Sequence, residues 1–148
     1  MLNEAKKKQY HCPIQFVQAD LYNLPFQPHS CDILLLGFWF SHEPKQNYEN
    51  FLKSLSHLIN QHGTIWMIDN NPPAEGDVNL STGKDEFGNN YKTRYLDDGT
   101  EFTILKNYFE KAELLAVFTG KFEIIDFIYK KYYWSAHLKP LPATVRSL

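Results

Sequence analysis

The stretch DILLLGFWF, residues 32–40, is unbroken in its apolar character after the first aspartate and is bounded by polar residues on both sides. Such a run suits a strand buried on both faces of a parallel sheet. Downstream lies EPKQNYENFLKSLSHLINQHG, with apolar residues at Tyr48, Phe51, Leu52, Leu55, Leu58 and Ile59. That spacing marks one face of a helix. Pro44 suits its first turn, and Gly63 is placed to close it with a left-handed cap. TIWMID (64–69) then reads as a further strand. Strand, helix, strand is the grammar of a layered α/β fold with a parallel sheet.

Upstream, FVQADLYNLPF (16–26) continues a β-rich run that starts at Ile14, ends at Asp20 and passes into a short turn. Residues 1–9 read as the end of a helix, because no capping residue opens one cleanly. Residues 70–100 are rich in Asn, Asp, Gly and Pro and lack periodicity. A loop of that length inside one domain is either functional or disordered; Tyr91, Arg94 and Tyr95 favour a lid. EFTILKNYF (101–109) reads as extended, and EKAELLAVFTG (110–120) as a short helix closed by Gly120. FEIIDFIYK and KYYWSAHLK are two β-rich segments around Lys130 and Lys131, so an antiparallel hairpin is expected. The tail 140–148 is expected to fray.

Composition bounds the function classes. A protein of 148 residues with net charge −2 is one domain and gives no electrostatic reason to bind nucleic acid or a membrane surface. The basic run at Lys6, Lys7 and Lys8 reads as a solvated helix face. The longest apolar run has eight residues, against the twenty or so of a membrane-spanning helix. Residues 1–11 hold no signal-like apolar core. Cys12 and Cys31 form no C-x-x-C pair and suit a reducing compartment. The expectation is a cytoplasmic protein. His57 and His62 lie five apart, the wrong spacing for one helical face, and no metal site is expected.

In order and separation, FVQADLYNLPF, SCDILLLGFWFSHEP, HLINQHGTIWMIDNN and the final hairpin resemble the class I S-adenosylmethionine-dependent methyltransferases. The likeness is specific over Met1 to Asn71 and looser beyond. It implies a Rossmann-like sheet with TIWMID parallel to DILLLGFWF, KYYWSAHLK antiparallel on its other side and FEIIDFIYK at the edge. It also implies that the family's first two strands and glycine-rich loop lie before Met1, so residues 1–148 are expected to be a single partial domain, truncated at its N-terminus. IQFVQAD would then face a gap of about three strand spacings, roughly 14 Å. It could pair with DILLLGFWF, or the open edge could recruit another chain.

The resemblance assigns roles residue by residue. Asp20 would accept a hydrogen bond from the adenine amino group of S-adenosylmethionine, and the Leu21 amide would reach a ring nitrogen. A local turn cap is the alternative for Asp20. Gly37 and Phe38 would line the methionine part of the cofactor, where a glycine permits close approach; the alternative is that Phe38 and Trp39 are simply core. His42 follows at the mouth of the strand and suits a general base, or it serves only the start of the next helix. The expected function is methyl transfer to a small-molecule acceptor. The alternative is a non-catalytic remnant that acts as a binding module.

Overall fold

The computed structural model of the chain describes residues 2–72 and 83–142. In chain order its elements are α1 (Leu2–Lys6), β1 (Cys31–Gly37), α2 (Tyr48–Leu58), β2 (Ile59–Asn70), β3 (Tyr91–Tyr95), β4 (Glu101–Leu105), α3 (Lys111–Phe118), β5 (Phe122–Tyr129) and β6 (Tyr133–Pro140). Four strands form the main sheet in the order β1-β2-β6-β5, and β3 and β4 form a separate antiparallel pair. β1 runs parallel to β2, with Leu35 opposite Trp66 and Gly37 opposite Ile68. β6 runs antiparallel to β2 on its other side, and β5 closes that edge. This is the arrangement expected from the sequence.

α2 forms because Phe51, Leu52, Leu55 and Leu58 recur on one face, and all four are buried. α3 starts with a reciprocal cap: the Glu110 side chain accepts from the third helical amide, and the Glu110 amide donates to Glu113 at 2.8 Å. Such a cap contributes about 0.5–2 kcal/mol. Gly120, at φ 74°, turns the chain out of α3. Both helices pack on the same face of the sheet, where Phe51, Leu52, Leu55, Leu114 and Phe118 meet Ile65, Met67, Trp134, Ala136 and Leu138. Phe40 sits at the centre of this core, stacked on Phe109 at 5.1 Å and edge-on to Trp134 at 6.1 Å.

The sheet is covered on one side only by the described residues. Strand alternation sends Ile33, Leu35, Trp66, Ile68, Ile128 and Tyr133 to the opposite face, where all are exposed. β1 is therefore not the doubly buried strand its composition suggests, since Ile33 is 60% and Leu35 78% exposed. Hydrophobic composition reports what a strand can bury, whereas burial itself needs a second layer. IQFVQAD is a second correction. It forms no strand, because a ladder needs a partner and none of the described residues supplies one.

Two further expectations change. The stretch 70–100 is not a uniform loop: β3 pairs with β4 residue for residue, from Tyr91 opposite Leu105 to Tyr95 opposite Glu101. Residues 73–82 of that stretch, and 143–148 of the expected frayed tail, lie outside the described residues. Gly63 caps no helix. α2 stops at Leu58, and Ile59 turns directly into β2. Gly63 is instead a packing glycine, since a Cβ there would lie 2.6 Å from Ile59 Cδ1 and 2.8 Å from the Asp32 carbonyl oxygen.

The Asp32 oxygen is backbone of the neighbouring strand and cannot rotate away. Gly63→Ala should therefore lower stability by about 1–3 kcal/mol, the usual cost of overpacking. Urea unfolding checks this, and an unchanged midpoint would mean that β1 and β2 separate there at little cost.

Candidate active site

The carboxyl ends of β1 and β2 open on the same side of the sheet, where open α/β sheets bind their ligands. β1 ends at Gly37. The next residue, Phe38, holds a left-handed backbone at φ 55° while its amide donates to the Ile68 carbonyl at 2.8 Å. A bulky residue in that region is strained, and Phe38 is more than half exposed. A tight turn over Phe40–His42 and a second over Lys45–Asn47 then lead into α2.

A cavity of about 350 Å³ opens beside Gly37, lined by Ala19, Leu21, Leu24, Leu35, Leu36, Gly37 and Trp39. It lies between the turn after Asp20 and the end of β1. The structure thus brings Leu21 and Gly37 to one cavity, while Asp20 and Phe38 adjoin its lining in sequence. Asp20 caps its turn, with Oδ1 accepting from the Tyr22 amide at 3.0 Å. The lining is apolar and suits a flat hydrophobic group. No two glycines of residues 1–148 stand at G-x-G spacing, and among the described residues no ionic side chain lines the cavity.

The turn is tied to the rest of the mouth. Tyr22 donates its hydroxyl to the Glu43 carboxylate, and Asn47 donates to both of them at 2.6 Å. Partial burial, and then the Glu43 carboxylate, push the Tyr22 hydroxyl well above its ordinary pKa. Burial likewise raises that of Tyr48, whose hydroxyl accepts from Asn107 at 3.3 Å.

His42 lies away from the cavity lining, exposed, with its Nδ1 2.7 Å from the Leu105 carbonyl at the end of β4. This contact belongs to a dense polar seam that the sequence does not announce. Asp69, fully buried at the end of β2, accepts from the Ser41 amide at 2.8 Å, from the Asn70 amide at 2.8 Å and from Lys106 Nζ at 3.3 Å. Lys106 also donates to Ser41 Oγ at 2.6 Å and to Asn70 Oδ1 at 3.2 Å. The Asn107 amide donates to the Ser41 carbonyl at 2.7 Å, and its side chain to the Glu43 carbonyl and Asn89 Oδ1. Asn89 is held in turn by Asp85, whose carboxyl its hydrogen bonds keep below the usual range. One signal existed for Asp69, an acid at the carboxyl end of a buried strand. Lys106, Asn89 and Asn107 carried none.

Among the described residues no group of acids, histidines or cysteines could hold a metal ion, and no helix is long and apolar enough to cross a membrane.

Residues 1–67 match the methyltransferase domain family. No curated protein matches the chain in sequence. Among solved structures, the DhpI-SAM-HEP complex shares 21% identity at a TM-score of 0.66, over 85% of this chain and 57% of that one. A Pyrococcus horikoshii protein superposes at 0.69 with 11% identity, over 95% and 66%. The Burkholderia thailandensis 1,6-didemethyltoxoflavin-N1-methyltransferase, bound to 1,6-didemethyltoxoflavin and S-adenosylhomocysteine, gives 0.58 and 12%, over 86% and 51%. The chain therefore spans a little over half of the DhpI chain and about half of the toxoflavin enzyme.

Removing Asp69 tests the seam. Asp69→Ala leaves the Lys106 ammonium buried without its carboxylate, a change that costs roughly 3–5 kcal/mol. Thermal unfolding should shift down accordingly, and trypsin should cut at Lys92 or Arg94 sooner than in the parent. Unaltered cleavage would show that the β3–β4 hairpin is held by other contacts.

Proposed function

We propose, for a chain that carries the methyltransferase domain match and the fold of S-adenosylmethionine-dependent methyltransferases, that it serves methyl transfer from that cofactor to a small-molecule acceptor. The observation that carries this reading is the apolar cavity between Leu21 and Gly37 at the carboxyl end of β1. Leu21 and the Asp20 turn form the adenine side, and Gly37 and Phe38 the side toward the methionine part. The cofactor, when bound, supplies a methyl group on a sulfonium. The task of the protein is to position acceptor and cofactor, the effect that dominates such transfers.

His42 is the residue assigned to receive the acceptor's proton. A carbonyl oxygen only accepts, so the contact with Leu105 requires the proton on Nδ1, and in the neutral ring the lone pair then sits on Nε2. The exposed aromatic residues Phe38 and Trp39 at the same mouth favour a small, partly apolar acceptor. The two free cysteines fit the reducing interior of a cell.

The cavity suits the hydrophobic part of the cofactor, and among the described residues its lining holds no ionic partner for the amino-acid end. Three missing hydrogen bonds of about 1–2 kcal/mol each would weaken binding by about 10²- to 10⁴-fold. Our reading is that sequence beyond residues 1–148 supplies the glycine-rich loop and covers the bare sheet face. A non-catalytic binding module is the second reading, favoured by the open edge of β1 and the exposed Ile33 and Leu35.

Residues 1–148 alone should self-associate through that edge and show no measurable methyl transfer. Light scattering during a titration with S-adenosylmethionine follows both, and a stable monomer binding at micromolar concentration would refute the need for further sequence. In the protein extended upstream, Asp20→Ala should weaken cofactor binding by about 1–3 kcal/mol by calorimetry. His42→Ala should there lower turnover by roughly 10²–10⁴ with cofactor affinity nearly intact. Full activity of the histidine variant would return His42 to a structural part.

A further inference from the structure

We propose that Lys106 is the positioning residue for His42, fixing which ring nitrogen carries the proton. The inference rests on the reading of His42 as the proton acceptor and extends it to a residue buried next to that site.

A histidine ring held by one hydrogen bond keeps its tautomer only while the partner stays in place. The partner here is a main-chain carbonyl, Leu105 O, on the last residue of β4. Among the described residues, the hairpin that carries it pairs with no strand of the main sheet. Something must therefore fix Leu105 relative to His42. Lys106 follows Leu105 directly, and Ser41 precedes His42 directly. Lys106 Nζ reaches Ser41 Oγ at 2.6 Å, so one side chain bridges the immediate neighbours of both partners.

The ammonium has three protons, and three acceptors meet it: Ser41 Oγ, Asn70 Oδ1 at 3.2 Å and Asp69 Oδ1 at 3.3 Å. Its charge is almost wholly buried, at 7% side-chain exposure, against an Asp69 side chain at 0%. A buried pair of this kind resists displacement, because moving either partner leaves the other charge buried without its counter-charge. The Asp69 carboxylate also accepts from the Ser41 amide, so Ser41 is held from its backbone and its side chain at once. The Asn107 amide to Ser41 carbonyl bond, at 2.7 Å, gives the seam a second strut. That strut orients the backbones, and Lys106 sets their spacing.

The test is long-range proton–nitrogen NMR of the protein labelled at its histidines, which reads the tautomer of each ring without any acceptor or cofactor. The parent should show His42 as a single Nδ1–H tautomer. In Lys106→Met, which removes the charged nitrogen and shortens the side chain by one atom, His42 should move to a mixture dominated by the Nε2–H form of free imidazole. The five other histidines serve as controls and should keep their signals. Ser41→Ala removes one leg, leaves the Lys106–Asp69 pair intact and should give a smaller shift, so it decides the matter if the methionine variant fails to fold. His42 retaining its Nδ1–H tautomer in both variants would overturn the proposal, as would a parent lacking that tautomer. A tautomer shift supports the inference whatever His42→Ala does to turnover, since turnover speaks only to the role of His42 as a base.

Discussion

The carboxylate of Asp69 is the constraint on which the mouth of the sheet depends. It stands at the end of β2 with no exposure to solvent, where an uncompensated charge would be very costly. Compensation comes from three directions: the Ser41 amide from the turn after β1, the Asn70 amide from its own strand, and Lys106 from beyond the hairpin. Each donor fixes a different piece of the backbone. The segment after β1 is pulled across the end of β2, the hairpin is anchored beside it, and His42 and Leu105 are brought to hydrogen-bonding distance. The left-handed turn at Phe38 is the local strain that this geometry accommodates.

The sheet itself is asymmetric in a way that bears on function. α2 and α3 share one face with the aromatic cluster around Phe40, and the other face carries Leu35, Trp66 and Ile68 toward solvent. Trp66 finds partial shelter by stacking on His137 at 4.0 Å, and among the described residues no second layer covers that face. β1 is an edge strand beside the cavity at Leu21 and Gly37. An apolar face and an open edge of this kind call for a covering layer or a pairing strand. The two features border the same cavity, so whatever covers the face also shapes the site.

Much of this was legible in the sequence where a single residue pattern determined the outcome. The spacing of Phe51, Leu52, Leu55 and Leu58 specified α2, and the two β-rich runs flanking Lys130 and Lys131 specified the closing hairpin. Failures came where the outcome depended on a partner. IQFVQAD has strand composition, yet composition cannot supply a neighbouring strand. Gly63 has the right distance from the α2 pattern for a cap, but the backbone turned into β2 at Ile59 and used the glycine for close packing against Asp32 instead. β3 hid in a polar stretch because its stability comes from pairing with β4 and from the buried Asn89 and Asn107 amides. Asp20, Leu21, Gly37, Phe38 and His42 could be nominated only through the family resemblance. The seam behind His42 could not, since Ser41, Asp69 and Lys106 are brought together only by folding.

The hairpin and the turn after β1 are locked to the sheet through Asp69, and so should not open independently of it. Native-state hydrogen exchange reads this amide by amide. The Ser41 and Asn107 amides, which donate to Asp69 and to the Ser41 carbonyl, should exchange as slowly as the amides of β2 and β6, through one shared opening. Fast exchange at Ser41 and Asn107 against a protected sheet would contradict this, and would make the mouth a separately mobile unit.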